Sequence, residues 1–361
     1  MVKILYIGWV GFNNLGDELM LDVFRQRVAQ MGDHYRVKAV NVEPESLRRV
    51  NPQQVDYIVV GGGSLLSNIH TNSFLLGWLS QAQDLGAKVM IWGSGMDRIP
   101  ATALASLREQ REANLTISPQ AAMTIKRVVD RCIWTGVRGP LTQALLYQMG
   151  IPRVKISGDP AFLLPEYAAM ETPEQSPRTV KTIGVNWGTA NNNVYGQNEL
   201  RVENELAQTL KQFIRQGYHI YFYTMWDQDR ASAKRLFDKV GGEANQVTWD
   251  SKVHHQNQLI QILAPFAFTI NFKLHANYIS LAAGVPFIAL GYRFKVYDFA
   301  YSVGLQDYVL SMNTENIGES IIALGSKIEH NRQGLVTSMA QAHSKYGQIV
   351  DEPFRLRLFD R

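Results

Sequence analysis

Short apolar runs alternate with longer amphipathic stretches along most of the sequence. The runs that we predict as strands are residues 3–8, 36–40, 55–60, 88–92, 115–118, 133–136, 154–156, 182–187, 219–224, 266–270 and 286–289. Helices are predicted between them, including residues 15–31, 139–149, 199–215, 228–240 and 275–283. This alternation is typical of parallel sheets whose strands are joined by helices, and it places the chain in the α/β fold class.

A proline-rich segment divides the pattern near its middle. Residues 165–177 contain three prolines and three glutamates and offer little to bury, which predicts a linker. A chain of 361 residues is also too long for one typical core. We therefore predict two Rossmann-like domains that face each other across a cleft, residues 1–168 and residues 169–361, the second ending in a helical tail. Ligands of such sheets bind beyond the carboxyl ends of the strands, so the strand-to-helix loops are the place to look for chemistry.

Charge and cysteine content exclude several classes of protein. The 36 Lys and Arg exceed the 32 Asp and Glu by only four, without the basic block that a nucleic-acid surface needs. Cys132 is the only cysteine, so an intrachain disulfide is excluded and a reducing cytoplasm fits best. Because no stretch approaches the roughly 20 apolar residues that span a bilayer, we expect a soluble cytoplasmic protein.

Two short motifs resemble metal-binding patterns but favour other interpretations. The Asp-x-Asp at residues 227–229 directly follows a predicted strand and begins a helix, so N-capping by Asp227 is the preferred interpretation. His254 and His255 are adjacent and cannot direct both rings to one site from regular structure. We predict no metal site.

Glycine-rich loops follow three predicted strands of the first domain. Residues 8–18 include three glycines together with Asn14 and Asp17, a composition that fits a tight turn and a binding loop equally well. Residues 61–64 and 93–95 are the other two loops, and neither has the sequence of a P-loop. Three such loops at one edge of a sheet favour a ligand-binding cleft.

The second domain carries a group of basic residues near two strand ends. Lys273 and His275 follow one predicted strand, and Arg293 and Lys295 follow the next. A helix N-terminus flanked by cations is suited to a phosphate or a carboxylate. The alternative is that these cations are solvated surface charges and that the histidine makes hydrogen bonds of a purely structural kind. No Asp or Glu occurs between residues 251 and 297. This absence of an acidic neighbour favours an anion site. It also means that the small positive net charge of the chain is concentrated in this segment.

Arg138 occupies the corresponding strand end in the first domain. An exposed arginine at the start of a helix opposes the helix dipole, so we favour a position facing the cleft. Asp159 lies just before the linker and could either stabilise the hinge or contact a ligand. We favour the first role, which we call bracing.

Five motifs together resemble the polysaccharide pyruvyltransferase family. In family order they are Asn-Leu-Gly-Asp-Glu at 14–18, Gly-Gly-Gly-Ser-Leu-Leu at 61–66, Val-Arg at 137–138, Ser-Gly-Asp-Pro-Ala at 157–161, and Lys-Leu-His-Ala at 273–276 followed by Gly-Val-Pro at 284–286. The resemblance runs from residue 4 to about residue 305. Its most specific part is the Leu-His-Ala to Gly-Val-Pro-Phe-Ile-Ala-Leu segment with the lysine that follows it.

The resemblance implies a fold like that of the GT-B glycosyltransferases, and a reaction. The pyruvyl group of phosphoenolpyruvate would be transferred to two hydroxyls of a sugar, in a polysaccharide or lipid-linked oligosaccharide precursor, forming a pyruvate ketal and releasing phosphate. The family's catalytic histidine falls on His275, its donor-binding arginine on Arg138 and its phosphate-contacting lysine on Lys295. Further donor-binding candidates are Lys273 and Arg293. Acceptor-binding candidates in the first domain are Asn14, Asp17, Gly62, Gly63 and Ser64.

The residue types agree with this chemistry. Phosphoenolpyruvate carries a carboxylate and a phosphate and therefore needs several fixed cations. Histidine titrates near neutral pH and can both donate and accept the protons that ketal formation requires. We expect no cofactor other than phosphoenolpyruvate as co-substrate.

Two positions depart from the family pattern, and two other functions stay open. Lys273 stands where the family usually has arginine, which removes a bidentate donor but keeps the charge. Gly139 stands where aspartate often follows Val-Arg.

The alternatives are a nucleotide-sugar glycosyltransferase on the same fold and a non-catalytic protein that binds anions or carbohydrate. A lipid-linked acceptor would require peripheral contact with the inner face of the cell membrane.

Overall fold

The computed structural model describes residues 1–67, 70–114, 117–170 and 180–360. These residues form two compact units. Unit 1 consists of Met1–Asn13, Asp17–Leu163 and Ser344–Arg361, and unit 2 consists of Asn14–Gly16 and Leu164–His343. Within the described ranges, no helix has both the length and the apolar character needed to cross a bilayer.

Unit 1 contains a parallel six-stranded sheet. Its strands are β1 (Val2–Gly8), β2 (Tyr35–Asn41), β3 (Tyr57–Gly61), β4 (Lys88–Ser94), β5 (Trp134–Val137) and β6 (Lys155–Ile156). The helices in this part of the chain are α1 (Leu15–Met31), α2 (Pro44–Arg48), α3 (His70–Asp84), α4 (Ala101–Arg108), α5 (Pro119–Asp130) and α6 (Pro140–Gln148). The strand order β2-β1-β3-β4-β5-β6 places the switch in direction between β1 and β3. The loops that follow these two strands therefore meet at one edge of the sheet.

Unit 2 contains a second parallel six-stranded sheet. Its strands are β7 (Thr182–Asn186), β8 (His219–Thr224), β9 (Val247–Val253), β10 (Phe268–Asn271), β11 (Phe287–Gly291) and β12 (Val309–Ser311). The helices in this part of the chain are α7 (Glu199–Arg215), α8 (Arg230–Val240), α9 (Gln256–Leu263), α10 (Leu274–Ala282), α11 (Phe294–Val303), α12 (Ile317–His330), α13 (Arg332–Val350) and α14 (Glu352–Arg355). The end of α13 and the whole of α14 belong to unit 1. The order β12-β11-β10-β7-β8-β9 is the Rossmann order, with its switch point between β7 and β10. This is the point at which such sheets bind ligands.

The predicted α/β class with two Rossmann-like sheets is confirmed. The helices at 15–31 and 199–215 and the strand at 219–224 have the predicted bounds. The apolar runs worked as a signal because parallel strands are buried on both faces, as the fully buried β3 and β7 show.

The edge strands β9 and β12 were not predicted, and two predicted segments lie partly outside the described residues. β9 was not predicted because this edge strand carries Asp250, Ser251 and Lys252 and lacks a continuous apolar run. The strand predicted at 115–118 extends over residues 115–116, which lie outside the described residues. Ser118 is the N-cap of α5, where its side chain accepts a hydrogen bond from the Ala121 amide at 3.2 Å. Of the predicted linker, residues 171–177 also lie outside the described residues.

Residues 344–361 of the C-terminal tail lie in unit 1, although the whole tail was predicted to belong to the second domain. Its aromatic side chains explain the difference. The rings of Phe354 and Phe359 pack edge-on against Phe24, with centroids 5.6 and 6.1 Å away. The indole nitrogen of Trp92 donates a hydrogen bond of 2.8 Å to the carbonyl of Val350. The tail therefore completes the core of unit 1 and satisfies one of its buried polar groups.

Candidate functional site

The ends of β7 and β10 are joined at the switch point of unit 2. Asn186, at the end of β7, accepts hydrogen bonds from Phe272 N at its carbonyl (2.8 Å) and from Lys273 N at its Oδ1 (3.0 Å). Asn186 is fully buried, so these bonds are shielded from water. They fix the turn from which α10 begins at Leu274, and they place His275 in the first turn of that helix.

Lys273 is paired with a buried acid. Its Nζ lies 3.0 Å from Oδ1 of Asp229 and donates a hydrogen bond of 3.0 Å to the carbonyl of Thr189. The same nitrogen lies 4.9 Å from the centre of the Trp226 ring, within the range of a cation–π contact. The expectation that these cations have no acidic neighbour is therefore wrong at Lys273. The reason is that Asp229 comes from the loop after β8, outside the sequence window that contains the cations.

The role predicted for the Asp-x-Asp motif is also different. Helix α8 begins at Arg230, and Asp229 at its cap position makes no capping bond. Asp227, the predicted cap, instead lies 2.7 Å from a guanidinium nitrogen of Arg230. Burial raises the pKa of Asp229, and the Lys273 charge and the Thr189 amide oppose that rise. Among the described residues, no group of three His, Cys, Asp or Glu is arranged to hold a metal.

The remaining cations of the predicted group surround a pair of stacked aromatic rings. Tyr292 stacks on Phe272 with centroids 4.5 Å apart and an interplanar angle of 18°. Arg293 Cζ lies 5.0 Å and Lys295 Nζ 5.5 Å from the centre of the Tyr292 ring. Lys273 Nζ lies 5.3 Å from the centre of the Phe272 ring. The structure therefore brings all three predicted cations of unit 2 to one aromatic platform.

Two cations lie at the start of α11, where the helix dipole favours a negative charge. Arg293 is the N-cap residue of this helix, and Lys295 lies in its first turn. Positive side chains at a helix N-terminus oppose the helix dipole by typically 0.3–1 kcal/mol each. An anion bound at this point would remove that penalty, which supports the anion-site prediction over scattered surface charges.

His275 is held against a segment from the beginning of the chain. Leu15 N donates a hydrogen bond of 2.9 Å to the carbonyl of Met225, and Asn14 forms a backbone bridge with Trp226. These bonds place Gly16 so close to His275 that a Cβ atom at residue 16 would overlap the imidazole. Asn14, predicted as part of the first domain, therefore belongs to the surroundings of His275 in unit 2.

Arg138 lies inside unit 1, with a side chain that is 1% exposed. Its Nε lies 3.1 Å from Oδ2 of the buried Asp159, its Nη1 donates a 3.1 Å hydrogen bond to Ser64 Oγ, and its Nη2 donates to the carbonyl of Gly63. Asp159 also accepts a hydrogen bond from the Ala161 amide at 3.0 Å. The bracing role favoured for Asp159 agrees with these contacts. The arginine fixes the glycine loop that follows β3.

The other acceptor candidates cluster at the switch point of unit 1. Gly62 and Gly63 have φ of +60° and +63°, and a Cβ at Gly62 would overlap the side chain of Met20. Tyr6 donates a hydrogen bond of 3.1 Å to the carbonyl of Gly61. Burial raises the pKa of Tyr6, and the nearby charge of Asp17 adds to the effect. Asp17 and the loop of residues 61–64 therefore share one neighbourhood.

Sequence reasoning missed several residues that shape the site in unit 2. Asn186, Asp229 and Tyr292 are separated widely along the chain, and only the strand order brings them together. A usable signal existed for Asn186, because a polar residue at the end of an apolar run marks the carboxyl edge of a parallel sheet.

Comparison with known proteins gives one family and one fold. The family model described as polysaccharide pyruvyl transferase matches residues 14–293. No curated protein matches the sequence. Among solved structures, the S. aureus MnaA–UDP structure is similar with a TM-score of 0.64 and 10% identity, over 99% of this chain and 98% of that one.

Two further structures show the same likeness. A putative UDP-N-acetylglucosamine 2-epimerase from Listeria monocytogenes has a TM-score of 0.59 and 10% identity, over 100% of this chain and 98% of that one. Anabaena HepE in complex with UDP-glucose has a TM-score of 0.56 and 11% identity, over the whole of both chains. At these identities the likeness establishes the fold, which is of the GT-B type.

Proposed function

This chain belongs to the polysaccharide pyruvyl transferase family, and we propose that it transfers the pyruvyl group of phosphoenolpyruvate to two hydroxyls of a sugar. The acceptor is part of a polysaccharide or lipid-linked oligosaccharide precursor. The products are a cyclic pyruvate ketal and inorganic phosphate. The observation that carries the proposal is the set of cations on the Phe272–Tyr292 stack, together with His275, at the Rossmann switch point of unit 2.

The cations of unit 2 suit a ligand with two anionic groups. Arg293 offers a planar fork that matches a carboxylate or a phosphate, and Lys295 offers a point charge on the same helix turn. Arg138, the family's donor-binding arginine, is bonded to Asp159 and the residue 61–64 loop in unit 1. Its proposed part in donor binding therefore includes shaping that loop.

The proposed reaction proceeds by protonation and two additions. A proton is added to the methylene carbon of phosphoenolpyruvate, which leaves positive charge on the carbon that carries the phosphate. The first sugar hydroxyl bonds to that carbon and loses its proton. The phosphate then departs with its bonding electrons, the second hydroxyl takes its place, and the proton of that hydroxyl is taken up by the released phosphate. We assign the first two proton transfers to His275, which gives a proton to the methylene carbon and regains one from the first hydroxyl, because an imidazole can serve in both directions near neutral pH.

We assign acceptor recognition to the candidates in the loops that follow β1 and β3. These residues are Asn14, Asp17, Gly62, Gly63 and Ser64. Gly63 and Ser64 are held by Arg138, which gives the loop a fixed shape in advance of binding.

We place the reaction in the cytoplasm, with peripheral contact at the inner face of the cell membrane when the acceptor is lipid-linked. Phosphoenolpyruvate is the only co-substrate in this proposal.

Phosphate release tests the proposed donor and acceptor. The purified chain is incubated with phosphoenolpyruvate and a panel of galactose, glucose, mannose and N-acetylmannosamine glycosides. We expect release of phosphate that depends on one of the sugars and continues in the presence of a chelator. Tight binding of a uridine or guanosine diphosphate with no response to phosphoenolpyruvate would instead support a nucleotide-sugar glycosyltransferase. Binding of ligand with no product from any glycoside would support a non-catalytic protein.

Replacing Gly16 with alanine should reduce turnover by about 100-fold. The new methyl group would overlap the imidazole of His275 and displace it, and a shift of about 1 Å at a catalytic group can cost that much. Measuring kcat for phosphoenolpyruvate-dependent phosphate release checks this expectation. The matched control is Gly77→Ala on α3, where a Cβ meets no atom within 4 Å and turnover should be unchanged. Full activity in Gly16→Ala would contradict the placement of His275.

A further inference from the structure

The loop that follows β7 has a backbone that needs external support. Asn191, Asn192 and Gln197 have φ of +52°, +57° and +48°, which is the left-handed region. This conformation costs about 1–2 kcal/mol at a residue such as Gln197 and less at asparagine, which adopts it more readily. A loop that holds three left-handed residues within seven positions keeps its shape only if the surrounding structure favours it.

Glu199 and Tyr292 hold several residues of this loop by hydrogen bonds. The buried carboxylate of Glu199 accepts hydrogen bonds from Thr189 Oγ1 at 2.6 Å and from Ala190 N at 3.0 Å. Asn192 Oδ1 accepts a hydrogen bond from Glu199 N at 3.1 Å. Tyr195 N donates a hydrogen bond of 2.9 Å to the carbonyl of Tyr292. The loop is therefore tied directly to the residue that precedes Arg293.

Lys273 and Asp229 hold the beginning of the loop, at Thr189. Lys273 Nζ donates to the carbonyl of Thr189, and the amide of Thr189 donates a hydrogen bond of 3.1 Å to Asp229 Oδ1. The two side chains also pair with each other at 3.0 Å. A Cβ at Gly188 would overlap the Asp229 carboxylate, so the chain passes directly against this acid. The peptide units on both sides of Thr189 are thus held by one ion pair.

We propose that Lys273 is a positioning residue that acts together with Asp229 to hold the loop of residues 188–198 in its strained shape. The charge of Lys273 is balanced by the buried Asp229, and Lys273 lies beside the Phe272 ring. Arg293 and Lys295, at the start of α11, lie beside the Tyr292 ring. The anion is held by Arg293 and Lys295. Lys273 acts on it indirectly, through the loop and its bond to Tyr292. This last step rests on the proposed function, but the support of the loop does not.

Hydrogen–deuterium exchange on the ligand-free chain tests the support of the loop. Peptides covering residues 188–198 are followed in the wild type, in Lys273→Met, in Asp229→Asn and in Lys273→Arg. We expect exchange to be faster by roughly tenfold or more in the first two variants, because each removes a charge-assisted bond that closes the loop. Lys273→Arg should retain most of the protection, since a guanidinium can also bond Asp229 and the Thr189 carbonyl.

The control lies at the opposite edge of the same sheet. Glu329 pairs with Lys181 at 2.7 Å and accepts a hydrogen bond from Tyr218 at 2.5 Å, so Glu329→Gln also removes a paired acid in unit 2. This variant should leave exchange in residues 188–198 unchanged. If Asp229→Asn fails to fold, Lys273→Met decides the outcome alone. Wild-type protection of the loop in a folded Lys273→Met variant would overturn the proposal.

Calorimetry with phosphoenolpyruvate separates this inference from the proposed function. We expect Arg293→Gln to weaken binding by a larger factor than Lys273→Met. A larger loss in Lys273→Met, with the loop still protected, would identify Lys273 as a direct ligand and overturn the inference. Absence of binding by the wild type would contradict the proposed function, while the exchange experiment would still decide the role of Lys273.

Discussion

Replacing His275 with glutamine should lower kcat for phosphoenolpyruvate-dependent phosphate release by about 10²–10⁴-fold. Glutamine keeps hydrogen-bonding groups at a similar distance from the backbone but cannot exchange a proton near neutral pH, and general acid–base catalysis typically contributes a factor of this size. Because Arg293 and Lys295 are unaltered, the Kd of phosphoenolpyruvate should change little. Steady-state kinetics combined with calorimetry measure the two quantities separately.

The matched control for this variant is His219→Gln. His219 begins β8 and bonds to Asn245 O at 3.0 Å and Thr248 Oγ1 at 2.9 Å, at the amino edge of the same sheet. Its turnover should equal that of the wild type. A His275→Gln variant with normal kcat would show that the proton transfers are carried out by another group. A parallel loss in His219→Gln would indicate a general effect of histidine replacement on unit 2.

Replacing Phe359 with alanine should lower the free energy of unfolding by about 3–5 kcal/mol. The side chain is 1% exposed and packs against Tyr57 and Phe24, with ring centroids 5.3 and 6.1 Å away. Removal of a buried ring costs its transfer free energy and leaves a cavity, which together have this magnitude. Denaturant unfolding of the full chain, followed by Trp fluorescence, measures the change.

The exposed Leu356 in the same tail provides the control for this prediction. Its side chain is 47% exposed, so Leu356→Ala should change stability by no more than about 0.5 kcal/mol. We expect a chain that ends at residue 343 to be less stable than either point variant, because Phe354 and Phe359 are both lost from the aromatic cluster. Wild-type stability in Phe359→Ala would show that the tail does not complete the core of unit 1.

Much of the fold is predictable from the sequence because parallel strands covered by helices leave continuous apolar runs. The runs at β7 and β8 are buried along most of their length, and their bounds were predicted closely. The proximity of Arg293 and Lys295 to Lys273 was predictable for a related reason. They follow adjacent strands of one sheet, and the carboxyl ends of such strands lie at one edge.

Contacts that depend on the order of the strands could not be predicted from local sequence. The Asp-x-Asp motif follows a strand and begins a helix, which suggested a cap at Asp227 and gave Asp229 no role, yet the carboxylate of Asp229 bonds to Lys273 and Thr189. Asp229 is 44 residues away from Lys273 along the chain, so a count of acids near the cations in the sequence does not include it. The tail presented a similar difficulty, since a polar helix with a few aromatic residues gives no local indication of the unit against which it packs.

Carbon NMR of the reaction product tests the central claim most directly. Phosphoenolpyruvate labelled at its second carbon is incubated with the chain and the glycoside that stimulates phosphate release. We predict that the label appears in the sugar product as a quaternary ketal carbon bonded to two sugar oxygens, with one phosphate released for each pyruvyl group transferred. Release of phosphate with the label remaining in free pyruvate, or an unlabelled product made from a nucleotide sugar, would contradict the account.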